Sequence, residues 1–257
     1  GLVINVTTQH TVHLSATNTY QGATSIEQGT LSVDGQLARG NITVANSNAT
    51  LTGTGTIKFE HGDRIRVEDD GSMAASSLML DVSGLAVASV VLVDYADGTV
   101  TLPGMLDDLL TAASQAIGWT VTNSGTQIMA KSADSDGDGM PNSWEYVHFG
   151  SSTGADAGAD QDHDGANNLA EYIADTDPND GDSVFRISAF SLQPSAFGIG
   201  FDSISGRVYA VEWRGDLLGT NGWEDLTNDW PGTGGLMEFG DGAGATQRFY
   251  RVKATRP

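Results

Sequence analysis

Two twelve-residue segments rich in aspartate constrain this chain more than any other feature. They occupy positions 134–145 and 160–171. Each has oxygen-bearing side chains at loop positions 1, 3, 5 and 9, a glycine at 6, a backbone carbonyl at 7 and a glutamate at 12, which is the ligand order of an oxygen cage for Ca²⁺. The spacing predicts two calcium sites, whose ligands are Asp134, Asp136, Asp138, Met140 through its carbonyl, Asn142 and Glu145 in the first loop, and Asp160, Asp162, Asp164, Ala166 through its carbonyl, Asn168 and Glu171 in the second.

An Asp/Gly-rich turn without a metal is the alternative interpretation, and isolated strings of this kind are often only turns. Two complete matches favour a metal, because the carboxylates within each loop would repel one another strongly without a cation. Further acids nearby either extend the two sites or act as helix caps and turn formers. They are Asp156, Asp175, Asp177, Asp180 and Asp182.

The composition agrees with a calcium-rich setting outside the cytoplasm. The formal net charge is −21, from 33 acidic and 12 basic residues, and bound Ca²⁺ would offset part of this repulsion. Because Lys and Arg are few and unclustered, we expect no nucleic-acid partner and no membrane insertion. Cysteine is absent, which excludes disulfides, Cys-based zinc sites and thiol catalysis.

The start of the sequence and its apolar stretches bear on localisation. From the acidity and the calcium loops, we expect an extracellular or cell-surface bacterial protein. The chain begins at Gly1 without a charged and apolar leader, so any secretion signal has been cleaved or lies outside this sequence. The longest apolar stretch, around residues 85–93, is too short to span a bilayer. The composition changes character twice, which predicts three units: 1–131, 132–183 and 184–257.

The first unit, 1–131, has short alternating strands separated by glycines, with one predicted helix at 105–113 and a closing hairpin around 123–125. Its strings Asn18–Thr24, Gly29–Gly35 and Leu51–Ile57 resemble the passenger repeat of bacterial autotransporters. That resemblance implies a right-handed β-solenoid. In the family, each such repeat adds coils to a passenger stalk.

The second unit, 132–183, holds both loops, each followed by a short predicted helix. A unit of this size buries little apolar surface, so its folding should depend on metal. Together with the strings Gly137–Asn142 and Ala174–Pro178, the loops resemble thrombospondin type 3-like calcium repeats of bacterial secreted proteins. In that family the repeats act as stiffened linkers, and the helix after each loop is shorter than in a sensor EF-hand.

The third unit, 184–257, returns to strands, and about seven strands in this length predict a compact β-sandwich. Its strings at 209–213, 223–226 and 248–252 are similar to small β-domains that follow calcium repeats in secreted bacterial proteins, a resemblance that implies no activity. Trp213, Trp223 and Trp230 either form a sugar-binding platform or pack in the core and its rim. The predicted fold class is therefore mainly β: a solenoid-like unit, a calcium-binding loop-helix unit and a sandwich.

The sequence gives little sign of catalysis. The five histidines lie far apart, and none stands in an HExxH or GxSxG context. Acidic pairs such as Asp69–Asp70 and Asp107–Asp108 fall in predicted turns or on a helix surface, where solvated charge is the ordinary explanation. We expect no catalytic residues and no organic cofactor, and so no enzyme.

Three functions stay open at this point. The first is a structural, self-associating protein of a cell-surface filament or stalk; the second is a carbohydrate-binding or adhesive module, with a surface polysaccharide as partner; the third is the non-catalytic tail of a larger secreted hydrolase. Acidity, calcium loops, a solenoid and abundant Thr, Ser and Gly favour the first. Its joining segment would be residues 1–14, which are apolar and proline-free and could add as a β-strand to a neighbouring subunit, head to tail. The alternative is that this segment caps its own solenoid.

Overall fold

A computed structural model describes residues 1–193, 196–218, 222–242 and 247–256 of the chain. The fold is mainly β with few helices, as predicted. The chain divides into two compact units, Gly1–Ala155 and Asp156–Pro257. The first aspartate-rich loop belongs to the first unit and the second loop to the second unit. Within the described residues, no helix is both long and apolar enough to cross a membrane.

The first unit is a solenoid-like curled sheet of about four turns. Its coils are built from β1 (Leu2–Asn5), β2 (Thr11–Leu14), β3 (Thr17–Asn18), β4 (Thr24–Val33), β5 (Gln36–Leu37), β6 (Ile42–Val44), β7 (Ala49–Thr52), β8 (Thr56–Lys58), β9 (Ile65–Val67), β10 (Ser72–Ala74), β11 (Met79–Asp81), β12 (Ser89–Asp94) and β13 (Thr99–Thr101). Parallel pairing forms three faces, in the orders β1-β4-β6-β9-β12, β2-β4-β7-β10-β13 and β3-β5-β8-β11. The long strand β4 contributes to two of these faces.

Stacked apolar side chains fill the interior of the solenoid. Because side chains alternate along a strand, every second residue of a coil points inward and meets its equivalent in the next coil. On the first face, one such ladder of register partners runs through Leu2, Thr24, Ile42, Ile65 and Val93. The interior is one continuous hydrophobic cluster that extends from Ile4 to Ala130.

The two ends of the solenoid differ. After β13 come a 3₁₀ helix (Leu106–Leu109), α1 (Ala112–Ile117) and the antiparallel hairpin β14 (Trp119–Asn123) and β15 (Gln127–Ser132). The hairpin agrees with the predicted one, and β15 pairs with β12 and covers its edge. At the other end, β1 and β2 pair only with β4, and β3 pairs only with β5, among the described strands. The first coil therefore has open outer edges.

The helix predicted at 105–113 is divided in the structure. The side chain of Thr111 accepts a hydrogen bond from the Ser114 N–H, so it caps α1 and ends the preceding 3₁₀ helix. Leu109 and Leu110 are both fully buried, and Leu110 is in an extended conformation between the two helices. The apolar spacing therefore predicted the burial correctly, but the prediction of one continuous helix was wrong.

The second unit ends in a β-sandwich. Its strands are β16 (Ile187–Gln193), β17 (Ala196–Asp202), β18 (Val208–Arg214), β19 (Glu224–Pro231), β20 (Leu236–Asp241) and β21 (Phe249–Thr255). They form two three-stranded antiparallel sheets with the orders β16-β17-β20 and β19-β18-β21. Ile199 and Phe201 of one sheet and Tyr209 and Val211 of the other share one buried cluster, so the sheets pack face to face.

The three tryptophans of the sandwich have separate protein contacts. The guanidinium of Arg248 lies 3.5 Å from the Trp213 ring centroid, and the Trp223 ring contacts both Arg214 and Arg251. Trp230 is half exposed and packs edge-on against Phe239. These contacts agree with the packing alternative for the aromatic side chains.

Gly53 provides a test of how closely the coils stack. It has φ 142°, and an added Cβ would lie 1.9 Å from the carbonyl oxygen of Val33 in the preceding coil. We expect Gly53→Ala to lower the free energy of unfolding of the first unit by about 2 kcal/mol or more, because backbone strain adds to the clash. Gly84→Ala is the matched control, since nothing lies within 4 Å of its added Cβ. Urea unfolding followed by hydrogen exchange of the solenoid amides measures both, and equal stability of the two variants would refute this stacking.

Candidate metal centres

The first aspartate of the first loop organises the backbone around it. Asp134 Oδ1 accepts from the Gly137 N–H at 2.8 Å, and Oδ2 accepts from the Gly139 N–H at 3.2 Å. Both glycines have positive φ, 75° and 94°. Asp138 Oδ1 then accepts from the N–H of Met140 at 2.8 Å. The position-6 glycine therefore makes the sharp turn that the spacing requires.

The second loop repeats this pattern bond for bond. Asp160 Oδ1 accepts from the His163 N–H at 2.8 Å, and Oδ2 accepts from the Gly165 N–H at 3.1 Å. His163 takes the left-handed conformation with φ 66°, and Gly165 has φ 100°. Asp164 Oδ1 accepts from the Ala166 N–H at 2.7 Å. The two loops, which share aspartates at positions 1, 3 and 5, glycine at 6, asparagine at 9 and glutamate at 12, thus form the same local structure.

Each loop brings three aspartates together. One carboxylate oxygen from each residue lies within 4.8 Å of the other two, in the groups Asp134, Asp136, Asp138 and Asp160, Asp162, Asp164. Either group could hold a metal ion. The first group is the more exposed of the two. Acceptor-only oxygens at this separation favour a hard cation over a softer metal that prefers nitrogen or sulfur ligands.

The glutamate at position 12 closes each loop from a helix. Glu145 lies on α2 (Asn142–Phe149) and Glu171 on α3 (Asn168–Ala174), and both side chains are fully buried. The Oε1 atom of Glu145 accepts from the Ala155 N–H at 3.3 Å, and that of Glu171 accepts from the Thr176 hydroxyl at 3.4 Å. The Oε2 atom of each is buried without a hydrogen-bond partner.

The pKa values of both position-12 glutamates are raised. Burial, together with repulsion from the aspartates of the same loop, raises the pKa of Glu145 to about 7. Burial and the three aspartates of its own loop likewise raise the pKa of Glu171 to about 7. In the absence of a cation, both side chains are therefore mainly neutral acids below about pH 7.

The second loop contains a further set of buried acceptor atoms. Asp162 Oδ2, Asp164 Oδ2 and Asn168 Oδ1 are buried without hydrogen-bond partners, like Oε2 of Glu171. Buried polar atoms are normally paired, and four such atoms in one loop require an explanation. A bound cation would satisfy all of them at once, since each is an electron-pair donor.

Position 9 differs between the loops. Asn142 Oδ1 accepts from the Ser135 N–H at 2.9 Å, and its Nδ2 donates to the carbonyl of Ile117 at 3.0 Å. Asn168 instead donates through Nδ2 to the carbonyl of Asp156 at 2.8 Å, which leaves its Oδ1 unpaired. Asn142 thus anchors the first loop to the end of α1. As a metal ligand, Asn142 would act through a water molecule. The full set of twelve predicted ligands stays a prediction.

The neighbouring acids serve mainly as caps and turn formers. Asp175 ends α3 in a left-handed conformation and pairs with Arg207. Three of the other four carboxylates accept from an N–H two residues later, in the pairs Asp156 with Gly158, Asp177 with Asn179 and Asp180 with Asp182. In the described part of the chain, none of the five joins a group of three ligand-type side chains.

The histidines have separate surroundings. His13 contacts Asp34 at 2.6 Å on the solenoid surface, and the His148 ring lies 4.6 Å from that of Trp144. His163 contributes its backbone to the second loop. The expected absence of catalytic residues and of an organic cofactor stays a prediction.

Sequence reasoning missed the residues that position the ligands. Ser135 fixes Asn142, Ala155 binds Glu145 and Thr176 binds Glu171. Thr176 lies five residues after its partner, on the turn that ends α3, and a hydroxyl at that spacing is a usable signal. Ala155 contributes only a backbone N–H, which no side-chain pattern can reveal.

Comparisons with protein-family models, curated proteins and solved structures found no match to this chain. The resemblances to autotransporter passenger repeats and to thrombospondin type 3-like repeats therefore rest on the sequence strings given above.

The two raised pKa values predict an unusual pH dependence. In EDTA, the free energy of unfolding should fall as the pH rises from 4.5, the ordinary glutamate value, to about 7. The folded state binds more protons than the unfolded state in this window, so ionisation favours unfolding. With a saturating divalent cation the slope should reverse, because the metal binds the ionised form. Thermal unfolding across this pH range measures both slopes. A double variant Glu145→Gln, Glu171→Gln should be nearly flat in EDTA, and an unchanged slope would refute the assignment.

Proposed function

We propose that this chain is a non-catalytic, extracellular, calcium-binding structural protein that self-associates as a subunit of a cell-surface filament or stalk. The observation that carries the proposal is that the second loop holds four buried acceptor oxygens without hydrogen-bond partners, two of them on an aspartate triplet that could hold a metal ion. The first loop repeats its backbone hydrogen bonds. We therefore assign the same ligand to both loops.

Calcium fits these loops better than magnesium does. Ca²⁺ accepts six to eight oxygen ligands in flexible geometry, including a bidentate glutamate, whereas Mg²⁺ requires near-ideal octahedral geometry and retains several waters. Each loop supplies three aspartates and a buried glutamate. An extracellular setting provides Ca²⁺ at the concentration that such sites need.

Calcium would stabilise the two units separately, because each unit contains one loop. A ligand that binds only the folded state adds about 2.7 kcal/mol of stability at a free concentration of about 100 times its Kd. The four carboxylates of each loop repel one another until the ion is bound. This charge compensation is the structural role that we assign to the metal.

Self-association is supported by the open first coil. Residues 2–5 and 11–14 form β1 and β2 and pair with β4 of the same chain, which agrees with the alternative that this segment caps its own solenoid. The outer edges of the same coil still offer unpaired N–H and C=O groups to a strand of a second copy. Val3 on β1 is 59% exposed, as an apolar residue at such an edge would be before assembly. A head-to-tail contact of this kind does not close and would give filaments.

Calcium titration tests the metal assignment. We expect the intact chain to bind two Ca²⁺ ions, and Glu145→Gln and Glu171→Gln each to lose one strong site, because position 12 normally provides two ligand oxygens. Isothermal titration calorimetry measures the number of sites and their affinities. Glu68→Gln, on an exposed residue outside the loops, is the matched control. Two unaltered sites in both loop variants would show that the loops do not bind the ion.

A substitution at the open edge tests the assembly mode. In millimolar Ca²⁺ we expect the intact chain to form filaments in a concentration-dependent manner and Val3→Lys to suppress them, because an exposed edge lysine opposes strand addition. Light scattering and electron microscopy provide the readout. Leu236→Lys is the control, since Leu236 is similarly exposed, at 54%, but lies on the sandwich. A chain that stays monomeric at high concentration, or equal polymerisation by Val3→Lys, would contradict this mode.

A further inference from the structure

A buried arginine at the start of the sandwich binds the end of the helix that carries Glu171. Arg207 directly precedes β18 and is 6% exposed. Its Nε donates to the carbonyl of Ile173 at 2.6 Å, and a terminal nitrogen donates to Asp175 Oδ1 at 2.7 Å. Such a cation satisfies carbonyls that the last turn of a helix leaves unpaired and interacts favourably with its dipole.

The same helix end turns back onto Glu171. Asp175 has φ 64°, and its N–H donates to the carbonyl of Glu171. Thr176 N–H donates to that carbonyl at 3.1 Å, and its hydroxyl donates to Glu171 Oε1 at 3.4 Å. The residue that Arg207 holds is therefore adjacent in sequence to the residue that contacts the ligand carboxylate.

The arginine itself is fixed in the sandwich. The N–H of Gly232 donates to the carbonyl of Arg207 at 2.8 Å, and the next residues form β18, whose Tyr209 is part of the core. A second cation, Arg256, which follows β21, lies 3.9 Å from the ring centroid of Tyr172. Arg207 and Arg256 therefore both join α3 to the sandwich.

We propose that Arg207 is a positioning residue of the second calcium site and that it makes calcium binding at this site and folding of the sandwich mutually dependent. The inference rests on the calcium function proposed above. Residues beyond the first ligands that orient a metal ligand typically change metal affinity by about 10- to 100-fold when they are replaced. By thermodynamic linkage, an arginine that strengthens calcium binding also makes calcium a stronger stabiliser of the sandwich.

The first loop has a different anchor and so serves as an internal comparison. The Ser143 hydroxyl on α2 donates to the carbonyl of Val87 at 2.8 Å, and the Ser143 N–H donates to the hydroxyl of Ser132 at 3.0 Å. These contacts lie within the first unit. The inference therefore concerns the second site alone.

Calcium titration in a Glu145→Gln background isolates the second site in the full-length chain. We expect Arg207→Met to weaken Ca²⁺ binding by about tenfold and Arg207→Lys to recover part of the loss, since lysine keeps the charge but loses the two-pronged geometry. Asp175→Asn should also weaken binding, because asparagine keeps the left-handed conformation and loses only the charge. This second variant keeps the test valid where Arg207→Met does not fold.

Arg251→Met is the matched control, because it removes an ion pair to the buried Glu212 of the same sandwich without touching α3. It should lower the unfolding temperature and leave the calcium affinity unchanged. Wild-type affinity in both Arg207→Met and Asp175→Asn would overturn the inference, as would an equal loss of affinity in Arg251→Met. If the Glu145→Gln parent binds no Ca²⁺ at all, the proposed function itself fails.

Discussion

Both loops depend on the compensation of carboxylate oxygens that are buried without a hydrogen-bond donor. The backbone of each loop is already fixed by its first aspartate, whose two oxygens hold the N–H groups at positions 4 and 6. Charge, and not shape, is what remains to be compensated at Glu145 and Glu171. A proton can do this at acidic pH and a cation at neutral pH. A site whose geometry is formed in advance loses little affinity to reorganisation when the ion arrives.

In the first unit, the loop that contains the buried glutamate lies next to the hairpin that closes the solenoid. The first loop follows β15, which covers the edge of β12, and Asn142 binds the carbonyl of Ile117 at the end of α1. Closure by an antiparallel hairpin removes one set of edges that would otherwise pair with other chains. The metal at this loop would therefore stabilise the closed end of the solenoid, while the first coil at the other end keeps its edges.

The sharp turn and the aspartate cluster of each loop could be predicted because they depend on residue types at a fixed short spacing. Gly139 and Gly165 have the positive φ that position 6 requires. Short-range alternation likewise revealed strands such as Ile42–Val44. The use of Asn142 as an anchor could not be predicted, since its partner Ile117 lies 25 residues earlier and meets it only through the tertiary fold. Pairing between coils, and the contact of Arg207 with a helix 34 residues earlier, are long-range in the same way.

Coil length varies along the solenoid, so the fold can accept insertions and deletions between its strands. The ladder from Leu2 through Thr24, Ile42 and Ile65 to Val93 places successive partners 22, 18, 23 and 28 residues apart. Each face needs only one short strand per coil in register, so the corners absorb every difference in length. Insertions and deletions at the corners would leave the inward side chains in place. The architecture is therefore aperiodic in sequence although it is periodic in space, and a search for repeats of constant length would pass over it.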